Sequence, residues 1–188
     1  MKIVGLSGAI IGHKTQTAMN YLMTALKKQA PQAKMELIDL ADIDVRFSDG
    51  RNYLDYTGDT GRVAKTLMEA DALAIGTPIF QASIPGTLKN IFDLLPVNAL
   101  AGKVAGAVVT AGSPKHFLVA EQQLLPILTY MKAQVVHPYV FIEEKDFYHG
   151  KIKNDDILYR IDRLAEDLVT LTETYAKIRA EKEKEYGF

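Results

Sequence analysis

The sequence predicts an α/β fold: a doubly wound, five-stranded parallel sheet of order 2-1-3-4-5 with helices on both faces. Three observations predict it. Short apolar runs and one-faced helical patterns alternate from end to end, as in successive strand–helix–strand crossovers. The apolar runs do not alternate with polar residues, which is how strands covered on both faces read. The last run carries Pro138, which cannot donate to a ladder and so belongs at a sheet edge, where this order puts strand five.

Each element has its own signal. Lys2–Leu6 reads as the first strand, and a helix follows a loop from Thr15 to Gln29. Met35–Asp39 reads as the second strand. A polar stretch, ADIDVRFSDGRNYLDYTGDTG, separates it from a helix that runs into Ala70. Ala72–Gly76 and Lys103–Thr110 are the third and fourth strands. Between them, Leu88, Ile91, Phe92 and Leu95 share one face of a helix over Gly86–Leu95. Phe117, Ala120, Leu124, Ile127, Leu128 and Met131 repeat that pattern, with Pro126 expected to kink or break the helix. Val135–Ile142 is the fifth strand. A last helix, over about 155–182, carries a heptad stripe from Ile157 to Ile178 that is expected to pack on the sheet, its far end available for an oligomer contact. The end, AEKEKEYGF, reads as a solvated or frayed tail.

Length favours one domain spanning 1–188. The charge balance, 22 basic against 23 acidic residues, lacks the positive excess of a general nucleic-acid binder. With no cysteine, thiol redox chemistry, disulfides, iron–sulfur ligation and cysteine nucleophiles are excluded together. The opening MKIVGLSG is too short an apolar run for a signal peptide or a membrane span, so a cytoplasmic protein is expected. His13, His116, His137 and His149 show no metal-ligand spacing.

In a sheet of this order, ligands bind at the C-terminal ends of strands one, three and four. The loops there read SGAIIGHKTQT, TPIFQASIPG and TAGSPKHF, all rich in small and hydroxylated residues. The first nearly matches a triphosphate-binding loop, but His13 stands where a glycine must let backbone approach phosphate. A phosphate monoester suits it better. Ser7, Thr15, Gln16 and Thr17, with amides at a helix start, suit a dianion, and Lys14 adds charge. The second loop is wide for a strand-to-helix connection. Pro78, Ile79 and Phe80 make a wall for a flat ligand, with Gln81 and Ser83 as polar contacts. The third offers the amides of Gly112 and Ser113 to a ring edge. Phosphate at one end and a planar heterocycle at the other describe FMN.

Three stretches carry a family likeness: the first loop with KTQTAMNYL, then TPIFQASIPGTLKNIFDLLP, then AGSPKHFLVAEQQLLPILTYMKAQVV. Through them the chain resembles the flavodoxin-like NADPH-dependent FMN reductases, and within them the branch that supplies reduced flavin to sulfonate monooxygenases. The resemblance implies phosphate contacts at Ser7, Thr15, Gln16 and Thr17. It implies ring contacts at Pro78, Ile79, Phe80 and Gln81 with Ser83 nearby, and pyrimidine-edge contacts at Gly112 and Ser113. Lys89, Asn90 and Asp93 match too, on a helix where packing and subunit contacts are the expected roles. The family's first loop usually reads G-S-P-R, where this chain has SGAIIGHK.

The activity implied is hydride transfer from nicotinamide C4 of NADPH or NADH to flavin N5, for which the protein supplies ring stacking and exclusion of water rather than a nucleophile. His116 opens the helix beside the third loop, where its imidazolium or Lys115 would stabilise negative charge on reduced flavin. The partners implied are a pyridine nucleotide and flavin or a small acceptor, with a flavin-dependent monooxygenase downstream and a homodimer or homotetramer as the assembly. A quinone, azo or metal-ion reductase using the same site stays open. So does a flavodoxin-type electron carrier, against which the near-neutral charge argues.

Overall fold

The structure, a computed structural model, describes residues 1–186. The elements are β1 (Lys2–Ser7), α1 (Lys14–Gln29), β2 (Lys34–Asp39), α2 (Gly58–Met68), β3 (Ala72–Pro78), α3 (Gly86–Asp93), β4 (Val104–Ala111), α4 (Leu125–Tyr130), β5 (Gln134–Val135), β6 (Val140–Glu143), β7 (Phe147–Tyr148), β8 (Lys151–Ile152) and α5 (Asp155–Tyr186). The main sheet runs β2-β1-β3-β4, with β5 and β6 both on the far side of β4, and all of its pairings are parallel. This is the predicted order.

Strand alternation sorts the core into two layers. Val4, Leu6, Leu73, Ile75 and Val109 face α2, α3 and the α4 region, where Val63, Leu67, Leu88, Ile91 and Leu128 meet them. Ile3, Ala72, Ala74, Val104 and Val108 face α1 and α5, against Met19, Leu22, Leu26, Ile161, Leu164 and Leu168. Small residues dominate the second face because the helices come close there. A Cβ on Gly76 would stand 2.5 Å from Met19 Cγ. That approach draws the first turn of α1 down onto the ends of β1 and β3.

The fifth strand departs from the expectation of one run over Val135–Ile142. It is two short pieces, and the register against β4 slips by two residues between them, so that Val136–Tyr139 stand opposite only Gly106–Ala107. Pro138, joined to His137 by a cis peptide bond, has no N–H to give the ladder. The chain bulges outward there and rejoins β4 at Val140.

The helix expected across Phe117–Met131 starts late and is distorted rather than broken, running from Val119 through Pro126 to Tyr130. A 3-10 turn at Pro114–His116 and a π-helical turn at Ala120–Leu124 precede α4, whose first turn holds Pro126 where its missing N–H is not needed. Phe117 consequently leaves the apolar stripe and is half exposed. The β7–β8 hairpin was not foreseen; its turn, His149-Gly150, has positive φ at both positions.

α5 packs its stripe as expected from Ile157 to Leu168, whereas Leu171 and Ile178 are exposed. The tail expected to be solvated or frayed is exposed over 180–185 and helical through Tyr186, because its Ala, Glu and Lys are strong helix formers. The last two residues of that tail lie outside the described residues. Among the described residues no helix is long and apolar enough to cross a membrane.

Candidate functional site

The first loop leaves β1 at Ser7 and is pinned on both sides: Gly8 N donates to Gly76 O at 2.8 Å and Leu40 N to Ser7 O at 3.0 Å. It enters α1 through Gly12, at φ 82, and His13. His13 is the N-cap and gives the helix no side-chain hydrogen bond, and the first turn holds no acidic residue. The first intrahelical bond is donated by Thr17 N to His13 O at 2.8 Å, so the amides of Lys14, Thr15 and Gln16 have no partner in the helix. A helix end of this kind attracts an anion through both its free N–H groups and its dipole.

Beneath this turn lie three hydroxyls. Thr15 Oγ1 and Thr110 Oγ1 are hydrogen-bonded at 2.7 Å. Ser7 is fully buried and its Oγ has no partner. Ile3 packs with α1 residues and a Cβ on Gly5 would meet Met19 and Met23, so alternation puts Ser7 on the face that α1 covers. An orphaned buried hydroxyl is costly, and such groups in native proteins call for an explanation.

The second loop begins where Pro78 ends β3 and Ile79 N donates to Thr110 O at 3.0 Å. Phe80 and Ser83 then exchange two backbone hydrogen bonds of 3.0 Å around Gln81 and Ala82, which have φ 49 and 58. That is a primed turn built without glycine or asparagine, an unfavourable backbone for these residues. It holds Phe80 out at the rim, 43% exposed. Ser83 Oγ donates to Gln123 Oε1 at 3.2 Å, tying the turn to the π-helical segment.

The third loop is braced from the fifth-strand side. Tyr139 donates its hydroxyl to Phe117 O, and the Phe117 ring lies 5.8 Å from the Tyr139 ring and 5.5 Å from that of Phe141. Burial, with the Glu121 charge second, holds the Tyr139 phenol above its ordinary pKa. Ser113 Oγ accepts from Lys115 N at 3.3 Å and so caps the 3-10 turn that carries His116.

These loops enclose a cavity of about 230 Å3. Of the residues singled out from sequence, Lys14, Thr15, Pro78, Ile79, Phe80 and Gly112 line it together. Ser7 lies beneath it. Gln16, Thr17, Gln81, Ser83, Ser113 and His116 stand on the same loops but do not line it. Sequence reasoning did not single out Ile11, Gly12, Thr110 or Ala111, and noted His13 only as an obstacle to triphosphate; all five also line the cavity and sit inside the loops it had marked. It missed Glu144 entirely. This residue follows β6, and its Oε1 accepts a short hydrogen bond from Lys14 Nζ at the cavity mouth. Nothing local in the sequence connects residues that far apart.

A larger depression of about 440 Å3 lies between α3 and α4, bordered by Phe92, Val97 and Tyr130. It is a mostly apolar trough away from the ends of β1, β3 and β4, so the strand-end cavity is the better site. The described residues hold no cluster of metal-ligating side chains.

The chain matches the family model "NADPH-dependent FMN reductase" over residues 1–147. It is 38% identical to an NAD(P)H-dependent FAD/FMN reductase of Geobacillus thermodenitrificans, over 90% of this chain and 92% of that one. It is 29% identical to the NADH-dependent FMN reductase SfnF of Pseudomonas fluorescens, over 94% and 95% of the two chains. Among solved structures, the apo form of the NADH:FMN oxidoreductase EmoB superposes with a TM-score of 0.75 at 26% identity, covering 89% of this chain and 87% of that one.

Proposed function

Because the chain belongs to the NADPH-dependent FMN reductase family, we propose that the strand-end cavity is its flavin site, with the FMN phosphate on the first turn of α1 and the ring against Pro78–Phe80. The observation that carries this reading is the uncapped, acid-free start of α1 opening onto the same cavity as an exposed aromatic wall, above an orphaned buried hydroxyl. The free amides of Lys14, Thr15 and Gln16 would hold the phosphate, with Lys14 for charge and Gln16 and Thr17 within the same turn. Ser7 would steady the loop from below. Gln81 and Ser83 flank the wall, and Gly112 and Ser113 offer amides to the pyrimidine edge.

FMN held by these loops would supply the hydride-accepting chemistry toward NADPH or NADH. The chain's own contribution is to bind, orient and keep water out. The strained turn at Gln81–Ala82 presents Phe80 as a rigid face, and the Tyr139–Phe117 brace fixes the opposite loop. His116, in that braced loop, would balance charge at the ring edge. The same reading makes reduced flavin available to a flavin-dependent monooxygenase or another small acceptor in the cytoplasm. It also has the chain assemble as a homodimer or homotetramer, for which the exposed Leu171 and Ile178 at the far end of α5 offer an apolar contact.

The test is an absorbance titration with FMN followed by NADPH without oxygen. The flavin band should shift on binding and bleach promptly on adding the nucleotide. Phe80→Asp and Ser83→Asp, on an exposed turn, should each weaken FMN binding by about tenfold or more while the protein stays folded. Unchanged affinity in both variants would refute the ring placement, and binding without bleaching would favour the electron-carrier reading.

A further inference from the structure

The Lys14–Glu144 pair has a consequence for how tightly flavin is held. β6 ends beside Ala111, and the 3-10 turn Glu144–Asp146 follows at once. That turn is rigidly set by buried Asp146. Its Oδ2 accepts from Glu143 N at 2.8 Å, its Oδ1 from Asn154 Nδ2 at 2.7 Å, and its carbonyl from Lys153 N at 2.8 Å. Glu144 is therefore held over the cavity mouth. One carboxylate oxygen takes Lys14 Nζ, and the other lies 3.9 Å from the Cβ position of Gly112. The carboxylate thus spans from the first residue of α1 to the third loop.

Lys14 is the cation at the anion-binding turn, and Glu144 already neutralises it. Lys145, the next residue, is engaged with Glu143. A phosphate dianion arriving at α1 meets free amides, a lysine already paired, and a carboxylate that competes for the same ammonium. Resting on the flavin reading above, we propose that Glu144 is an affinity-setting residue: it acts as an internal rival to the phosphate, keeping FMN exchangeable and the preference for FMN over phosphate-free riboflavin small. The Pro78–Phe80 wall is shared by both flavins, and Glu144 reaches the ring end only at the edge of Gly112.

The experiment measures Kd for FMN and for riboflavin on the wild-type protein, Glu144→Gln and Glu144→Asp, by flavin fluorescence quenching at low and high salt. Removing one like charge a few ångströms from a dianion should tighten FMN by about tenfold at low salt in E144Q. The gain should shrink severalfold in about 0.5 M salt, as screened charges require. Riboflavin affinity should stay within about twofold, because it lacks the group that feels the charge. Glu144→Asp, which keeps the charge, should remain close to wild type. The melting temperature should hardly move, since an exposed ion pair of this kind contributes little.

Equal tightening of both flavins, or an E144Q variant that binds FMN no better than wild type, would overturn the proposal while leaving the flavin site standing. Binding of neither flavin to any of the three proteins would overturn the flavin reading and this inference with it.

Discussion

Thr110→Val is the sharpest test of how the cavity floor is built. The Thr110 and Thr15 hydroxyls meet at 2.7 Å and the two residues are only 5% and 2% exposed, so each hydroxyl depends largely on the other. Valine keeps the shape of threonine and replaces the hydroxyl with a methyl. The substitution deletes the hydrogen bond and strands the Thr15 hydroxyl, which costs about 1–3 kcal/mol. The added methyl returns roughly 0.8 kcal/mol of apolar burial. The net expectation is a loss centred on about 1 kcal/mol within a range of roughly 0.2–2.2 kcal/mol, or a melting temperature lowered by roughly 2–4 °C at the centre of that range in a chain of this size. Thr15→Val should behave alike. The double variant leaves no stranded hydroxyl and should recover to near wild-type stability, so the cycle should show a coupling of about 2 kcal/mol or more. Urea denaturation of the four proteins measures it. A double variant destabilised by the sum of the single losses would refute the reasoning, because the two hydroxyls would then not be serving each other.

Two further outcomes follow from the packing around the site. Gly76→Ala places a Cβ 2.5 Å from Met19 Cγ and 3.1 Å from Thr15 Cγ2, with Met19 fully buried and unable to swing away. It should cost about 1–3 kcal/mol in thermal unfolding, and Met19→Ala should cost less in that variant than in the wild-type protein, because part of the clash is relieved. Tyr139→Phe frees Phe117 O and should cost about 1 kcal/mol near neutral pH. Because burial raises the folded-state pKa of Tyr139 above the ordinary 10.0, its contribution is present below that value and lost as pH climbs through the raised one. The wild-type protein should therefore lose stability above about pH 10 more steeply than Y139F; parallel pH profiles would show that the phenol is not the group responsible.

Much of this protein could be read from its residues because the reading rested on local patterns. The apolar strands, the one-faced α3 with Leu88 and Ile91, and the glycine- and hydroxyl-rich loops all follow from sequence neighbours, and chain chirality then leaves few ways to wind them. The strand order and the three loops that meet at the cavity came from that logic. Pro126 and Pro138 were legible as interruptions, since a missing N–H is a property of the residue itself. How the chain absorbs the interruption was not. The two-residue slip opposite Gly106–Ala107, and the hydrogen bond it lets Tyr139 make to the third loop, depend on what β4 and Phe117 offer across the sheet. The same holds at the site. The sequence by itself determined which loops would converge and that α1 would begin there without an acidic residue. Only the tertiary structure decided that Ser7 is buried without a partner, that Thr15 spends its hydroxyl on Thr110, and that Glu144 reaches Lys14. Helix and strand periodicity act over a few residues, whereas a hydrogen bond between residues 130 positions apart exists only once the sheet has brought their loops together.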